Sequence, residues 1–350
     1  MVNPFYQSQY YLKSRIGSIG RSLGFRADTV GAWRIWRQEL LAAMREALGV
    51  VRMVPTDPNP RLTDEVQREG YRRQRVEIDT EPGVTMPLYV LIPDGLAGAA
   101  PGLICPHGHG SGGKVCPAGC REVPGVPERI EEYNYDYGVQ YARRGYVVFC
   151  PDARGFGERR ESLYESPEHY FDSSCWQLAH MGIPLGLSVA GMWAWDLMRL
   201  LDYMQTRPEV LPDRLGCAGL SGGGLQTLML SALDERVKCC VVSGYFYGVK
   251  DSLLEMPGNC DCNFVPRLWE YADMGDIGAL IAPRPAMIEA GTRDPLNGRR
   301  GIDNVLEQFE IMRGAYGVLG VPEAAAIDVF EGVHLWHGTM SLEWMDRWLK

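Results

Sequence analysis

"CAGLSGGGLQT", residues 217–227, contains G-x-S-x-G followed by one more glycine. A chain with 41 glycines can produce that pattern by chance, so its flanks decide the reading. Upstream, "DRLGCAGL" (213–220) is a short apolar run with strand character. Downstream, "GGLQTLMLSALD" (223–234) carries its apolar residues at helical spacing. Strand, sharp turn and helix form the setting in which a serine hydroxyl is presented at a strand end, with a helix N-terminus facing the same point. Side chains at Gly219 and Gly223 would clash across so sharp a turn, and the serine itself takes a strained conformation. Ser221 is therefore the candidate nucleophile.

The segments around it repeat the same alternation. "YRRQRVEIDT" (71–80) and "MPLYVLIP" (86–93) flank a hairpin-like Glu81-Pro82-Gly83 and read as an antiparallel pair at one sheet edge. "GLICPHGHG" (102–110), "YVVFCPD" (146–152), "VKCCVVSG" (237–244), "RPAMIEAG" (284–291) and "AAIDVFEG" (325–332) read as further strands. Between them, 131–145, 188–208 and 301–320 read as helices, and 339–350 as a closing helix. Apolar strands alternating with helices imply a mostly parallel central sheet with helices on both faces. Residues 1–65 read as an N-terminal helical extension, with a helix over 28–49 closed by Gly49, packed on the core or serving an oligomer contact. Residues 66–350 form the main domain. Two stretches, 155–184 and 245–281, break the alternation and are rich in aromatic residues. Long irregular segments of this kind are commonly binding loops.

A serine nucleophile needs a base, and the base needs an orienting acid. Of the six histidines only His334 and His337 follow Ser221. His334 comes directly after a strand and its turn, so it is the expected base, with His337 beside it in a supporting or packing role. Asp294 follows the preceding strand and is the expected acid. Glu289 lies inside that strand, and Asp273 and Asp276 sit in a loop and short helix, so these are weaker choices. The tetrahedral oxyanion requires two backbone N–H donors. Gly222 supplies one; the "PHGHGSGGK" loop supplies the other through His109 or Gly108. His107 and His109 also form an H-x-H pair, but no third metal ligand stands at a clear spacing. Aromatic residues of the two insertions, Tyr164, Tyr170, Phe171, Trp176, Tyr245, Phe246 and Trp269, are candidates to wall the substrate pocket or to pack in the core. Arg154 is a candidate to meet an anionic substrate, or to pair with Glu158 or Asp152.

Composition narrows the class. With 350 residues, 46% hydrophobic and 23% charged, the chain has the make-up of a soluble globular protein. A net charge of −9 argues against a nucleic-acid partner. No apolar run is long enough to span a membrane, and the N-terminus shows no secretory h-region. The ten cysteines have irregular spacing. Five lie in apolar runs, and neither the Cys116/Cys120 pair nor the Cys260/Cys262 pair matches a zinc-knuckle spacing. A reduced, cytoplasmic protein without metal or cofactor is expected, free or as a homo-oligomer.

At this point the chain resembles the α/β-hydrolase superfamily, and within it the acetyl xylan esterase-like and dienelactone-hydrolase-like branch. The resemblance rests on "HGHG" (107–110), "DARGFGE" (152–158), "RLLDYMQTRPEVLPDRLGCAGLSGGG" (199–224), "NCDCNFVP" (259–266), "DIGALIAPRPAMIEAGTRDP" (276–295) and "GVHLWHG" (332–338). It implies an α/β-hydrolase fold, a Ser221–His334–Asp294 triad, an oxyanion hole near His109 and Gly222, and hydrolysis of a carboxylic ester without metal or cofactor. Two departures shape the expectation. Dienelactone hydrolases use cysteine where Ser221 stands. Many acetyl xylan esterases are exported, and no leader is seen here. A small ester or acetylated oligosaccharide is then expected rather than polymeric xylan. The alternatives are a serine peptidase-like or lactone hydrolase of the same fold, or a non-catalytic binding protein, for which an intact triad would be unnecessary.

Overall fold

In the computed structural model, which describes residues 3–164, 166–256 and 258–350, nine strands form one sheet. They are β1 (Arg61–Arg68), β2 (Tyr71–Glu81), β3 (Val84–Pro93), β4 (Ala100–Ile104), β5 (Val147–Pro151), β6 (Val210–Leu220), β7 (Val237–Ser243), β8 (Ala286–Gly291) and β9 (Ala325–Phe330). Their spatial order is β1-β2-β3-β5-β4-β6-β7-β8-β9. The first three strands, and β3 against β5, pair antiparallel; every later pair is parallel. The parallel strands β4, β5 and β8 are buried at every position. That follows from helices covering both faces, so each side of the strand meets apolar surface. This is the mostly parallel α/β architecture expected.

Two details differ from expectation. First, the antiparallel edge has three strands. β1 crosses residue 65, where the N-terminal extension was expected to end, and its exposed, charged sequence gave no alternating signal. Second, residues 131–145 are not one helix. Val126–Tyr133 and Tyr137–Arg143 are separated by Asn134 at φ 50°, a left-handed residue that stops the first helix. The N-terminal extension packs on the core. The helix Val30–Leu48 buries Trp36, Leu40, Met44 and Leu48, a stripe repeating every fourth residue, in the same core as the sheet. Each such side chain contributes roughly 1.5–3 kcal/mol of burial. Thr29 caps this helix by accepting the Ala32 N–H, and Gly49 closes it in the left-handed conformation.

The chain reaches the carboxyl ends of β4, β6, β8 and β9 at His107–His109, Ser221, Asp294 and His334 respectively. In open α/β sheets that edge is where ligands bind. The described residues of the two insertions, 155–184 and 245–281, form turns and short helices, including Cys175–Gly182 and Met274–Ala279. No helix among the described residues is long and apolar enough to cross a membrane.

Candidate active site

Ser221 has φ 61° and ψ −122°, one of four non-glycine residues with positive φ among those described. Such a conformation costs on the order of 1–3 kcal/mol and persists only where the surroundings enforce it. They do so from several sides. The Ser221 N–H donates to the Ser243 carbonyl on β7. The helix Gly222–Leu233 starts at the next residue. A Cβ on Gly219 would lie 2.6 Å from the Gly223 backbone, and one on Gly223 would press directly on the Pro106 carbonyl oxygen. The turn is therefore closed by backbone-to-backbone packing that only glycine allows.

His334 Nδ1 lies 2.6 Å from Asp294 Oδ2. A carboxylate at that distance fixes the proton on Nδ1 and leaves Nε2 as the acceptor. Asp294 is buried, and its other oxygen accepts the Leu296 N–H at 2.8 Å. The loops bearing the pair are tied together, since the Thr292 and Arg293 N–H groups donate to the carbonyls of Phe330 and Gly332. Gly244 has φ 58°, and a Cβ there would stand 2.9 Å from His334 Cε1, so the chain leaving β7 makes room for the imidazole. Ser221 and His334 line the same cavity of about 460 Å³, together with His109, Gly222, Tyr245, Asn263 and Leu296 among others.

Glu289, the rival acid, has a different task. It is fully buried and accepts hydrogen bonds from the Ser243 hydroxyl, the His337 and Gly338 N–H groups and the Ser341 hydroxyl. Burial raises its pKa, while these four donors pull the other way. It clamps the chain just after His334 onto β8. His337 takes no place at the cavity: its ring bonds Asp328 at 2.8 Å and stacks on Phe330. Asp273 and Asp276 form a capping box at the helix Met274–Ala279.

On the other wall, the segment 106–109 is held rigidly. Tyr137 donates to the Pro106 carbonyl at 2.6 Å, and Gln226 Nε2 to the His107 carbonyl at 2.8 Å. His107 is buried, and its Nε2 accepts the Ala153 N–H. Burial lowers its pKa to about 4, so the ring is neutral. Of the two expected partners of Gly222, Gly108 is committed elsewhere: its N–H donates to the Tyr135 hydroxyl at 3.0 Å. His109, which lines the cavity beside Gly222, is left as the second candidate donor.

The expected substrate contacts divide. Tyr245 lines the cavity, its hydroxyl donating to Asn263 Oδ1 at 2.6 Å. Trp176 is not among the lining residues; it stands on the helix Cys175–Gly182 with its ring edge-on to His180. Arg154 is not among the residues lining this cavity and does not pair with Glu158 or Asp152. Its guanidinium is held by both oxygens of Asp196 and by Glu81. Burial pushes the Asp196 pKa up, but Arg159 and Arg154 prevail and hold it at about 2. Asp152 and Glu158 instead clamp the buried ammonium of Lys114. The Tyr164 side chain lies outside the described residues.

Sequence spacing missed one grouping altogether. His109, Cys175, Cys260 and Cys262 come from three separate segments and meet beside the cavity, with their ligand atoms all within 4.8 Å of one another.

Comparison with known proteins agrees with this architecture. The model of the Abhydrolase family matches residues 21–331. A Bacillus subtilis (strain 168) protein named "Putative hydrolase YtaP" is 29% identical over 259 residues, covering 72% of this chain and 79% of that one. Among solved structures, a "putative acetyl xylan esterase" from Bacteroides fragilis NCTC 9343 superposes with a TM-score of 0.78 at 22% identity, covering 93% of this chain and 82% of that one. A glucuronoyl esterase from Solibacter usitatus has a TM-score of 0.66 at 15% identity, covering 95% and 97% of the two chains.

Proposed function

The chain belongs to the Abhydrolase family, and from that premise we propose that it is a serine carboxylesterase. It hydrolyses a small carboxylic ester, such as an acetyl ester of a sugar or similar small molecule, through an acyl-enzyme on Ser221. The observation that carries this reading is the strained Ser221 facing the same cavity as His334, with Asp294 2.6 Å behind the imidazole.

In this mechanism His334 Nε2 takes the Ser221 proton as Oγ attacks the ester carbonyl. The N–H groups of Gly222 and His109 hold the oxyanion, with the helix N-terminus adding its dipole. His334, its charge balanced by Asp294, then protonates the departing alcohol. Water repeats the sequence and releases the acid. A cavity of about 460 Å³ suits a small substrate. Structural neighbours bearing the names acetyl xylan esterase and glucuronoyl esterase support a sugar ester as the substrate class. A reducing, cytoplasmic setting belongs to the same proposal, since the ten cysteines are unpaired thiols.

The test uses p-nitrophenyl acetate, butyrate and octanoate. Hydrolysis is expected, fastest with the short acyl chains. Ser221→Ala should lose on the order of 10⁴-fold or more in kcat, and Asp294→Asn about 10⁴-fold, with the fold intact by circular dichroism. Activity retained in Ser221→Ala would refute the mechanism. Failure of the native protein on every ester would favour a non-catalytic binding protein.

A further inference from the structure

The grouping of His109, Cys175, Cys260 and Cys262 has no role in the ester chemistry. Cys175 opens the helix Cys175–Gly182 of the first insertion. Cys260 and Cys262 belong to the second insertion, in and beside the turn Asp261–Asn263. His109 belongs to the loop after β4. Cys175 and Cys262 are buried; His109 and Cys260 are half-buried. His109 Nε2 lies 3.5 Å from Cys262 Sγ.

We infer that these four side chains form a closed, structural zinc site that staples both insertions to the loop carrying the His109 N–H. The geometry fits the ion. With Zn–S near 2.3 Å and Zn–N near 2.0 Å, a tetrahedral site sets its ligand atoms about 3.5–3.8 Å apart. The His109–Cys262 pair already stands at that separation. The remaining separations lie under 4.8 Å, so small side-chain rotations complete the shell. Three thiolates with one imidazole select zinc over the hard cations, which take oxygen ligands. All four positions come from the protein, so the ion has no open position for substrate or water and its part is structural. A second convergence of possible ligands, Glu289, Asp328 and His337, is already consumed by internal hydrogen bonds.

The local structure has use for such a staple. Around Cys260 the described residues of the second insertion form turns and short helical pieces, with no strand pairing among them. A bound ion would supply folding energy there directly. It would also fix the ring of His109 through Nε2 and so fix the backbone beside Gly222.

Metal analysis tests this independently of any esterase assay. Untagged protein, purified without chelators, should carry about one equivalent of zinc per chain. Exchange with Co²⁺ should give strong thiolate-to-metal charge transfer in the near-ultraviolet and intense red d–d bands, the signature of tetrahedral thiolate coordination. Cys175→Ser and Cys262→Ser should fall to roughly a tenth of an equivalent or less, while Cys116→Ser keeps its zinc. Stripping the metal should make residues 155–184 and 245–281 the first points of protease cleavage. The Co²⁺ spectrum needs only the wild-type protein, so the test survives variants that do not fold. The inference is overturned if reduced wild-type protein takes up neither Zn²⁺ nor Co²⁺, if Cys262→Ser binds as well as wild type, or if alkylation mapping finds a Cys175–Cys260 disulfide in freshly isolated protein.

Discussion

Ser221 and Cys260 line one cavity but are held there by different means. On the Ser221 side the backbone itself is the constraint: Gly219 packs on Gly223, Gly223 packs on Pro106, and the Ser221 N–H is taken by Ser243 on the next strand. On the Cys260 side the constraint is side-chain chemistry, namely the thiols, His109 and the Tyr245–Asn263 hydrogen bond. A wall made of backbone contacts tolerates no change of residue. A wall made of side chains can be rebuilt for a different ligand without disturbing the sheet.

The largest effect should fall on the first wall. Gly223→Ala forces a methyl group onto the Pro106 carbonyl, and the backbone must move to relieve it. A loss of at least about 3 kcal/mol in urea unfolding is expected. Esterase activity should fall by more than about 10²-fold, because displacement by an ångström at the attacking atom suffices. A Gly223→Ala variant with native stability would break the contrast between the two walls.

Next comes a pH effect, also on the rigid side. The folded-state pKa of His107 is depressed to about 4, so the unfolded chain, titrating near 6.5, binds the proton first as pH falls. The stabilisation by neutral His107 is therefore complete above about pH 6.5 and is lost between there and about pH 4, on the order of 3 kcal/mol in all. Urea midpoints from pH 7 to 4.5 should drop more steeply for the wild type than for His107→Gln. Parallel curves would remove His107 from the account.

The smallest effect should fall on the second wall. Tyr245→Phe removes one hydrogen bond to Asn263 and leaves the packing in place. About 1 kcal/mol of stability and a few-fold change in KM are expected, with kcat on p-nitrophenyl acetate nearly unchanged. A loss comparable to that in Gly223→Ala would mean that the two walls are equally rigid.

The same contrast explains what the sequence made legible. The turn at Ser221 is local: strand, glycines and helix lie within about two dozen residues, so the pattern carries its own context. The pairing of Asp294 with His334 was readable because each follows a strand, and strand ends in a parallel sheet share one edge. Glu289 was separable from Asp294 because it lies inside its strand rather than beyond it. The break at Asn134 did carry a signal, since asparagine is a poor helix former that tolerates the left-handed conformation, but the reading of 131–145 as one helix passed over it. The Asn134 side chain donates to the Trp336 carbonyl, 202 residues away. The partners of Arg154 were hidden for the same reason: Glu81 on β2 and Asp196 on the helix Val189–Met204 adjoin it only in the folded chain. The thiol grouping was hidden because its ligands are spread over three segments, while spacing rules detect ligands that lie close together in one.

The Glu289 clamp has a consequence for how the site responds to disturbance. β8 carries Asp294 in the turn beyond its end, and through Glu289 it grips the chain that follows His334. Asp294 and His334 are therefore anchored to one strand. The same carboxylate accepts the Ser243 hydroxyl on β7, and the Ser243 carbonyl accepts the Ser221 N–H, so one buried group ties all three side chains to a common frame.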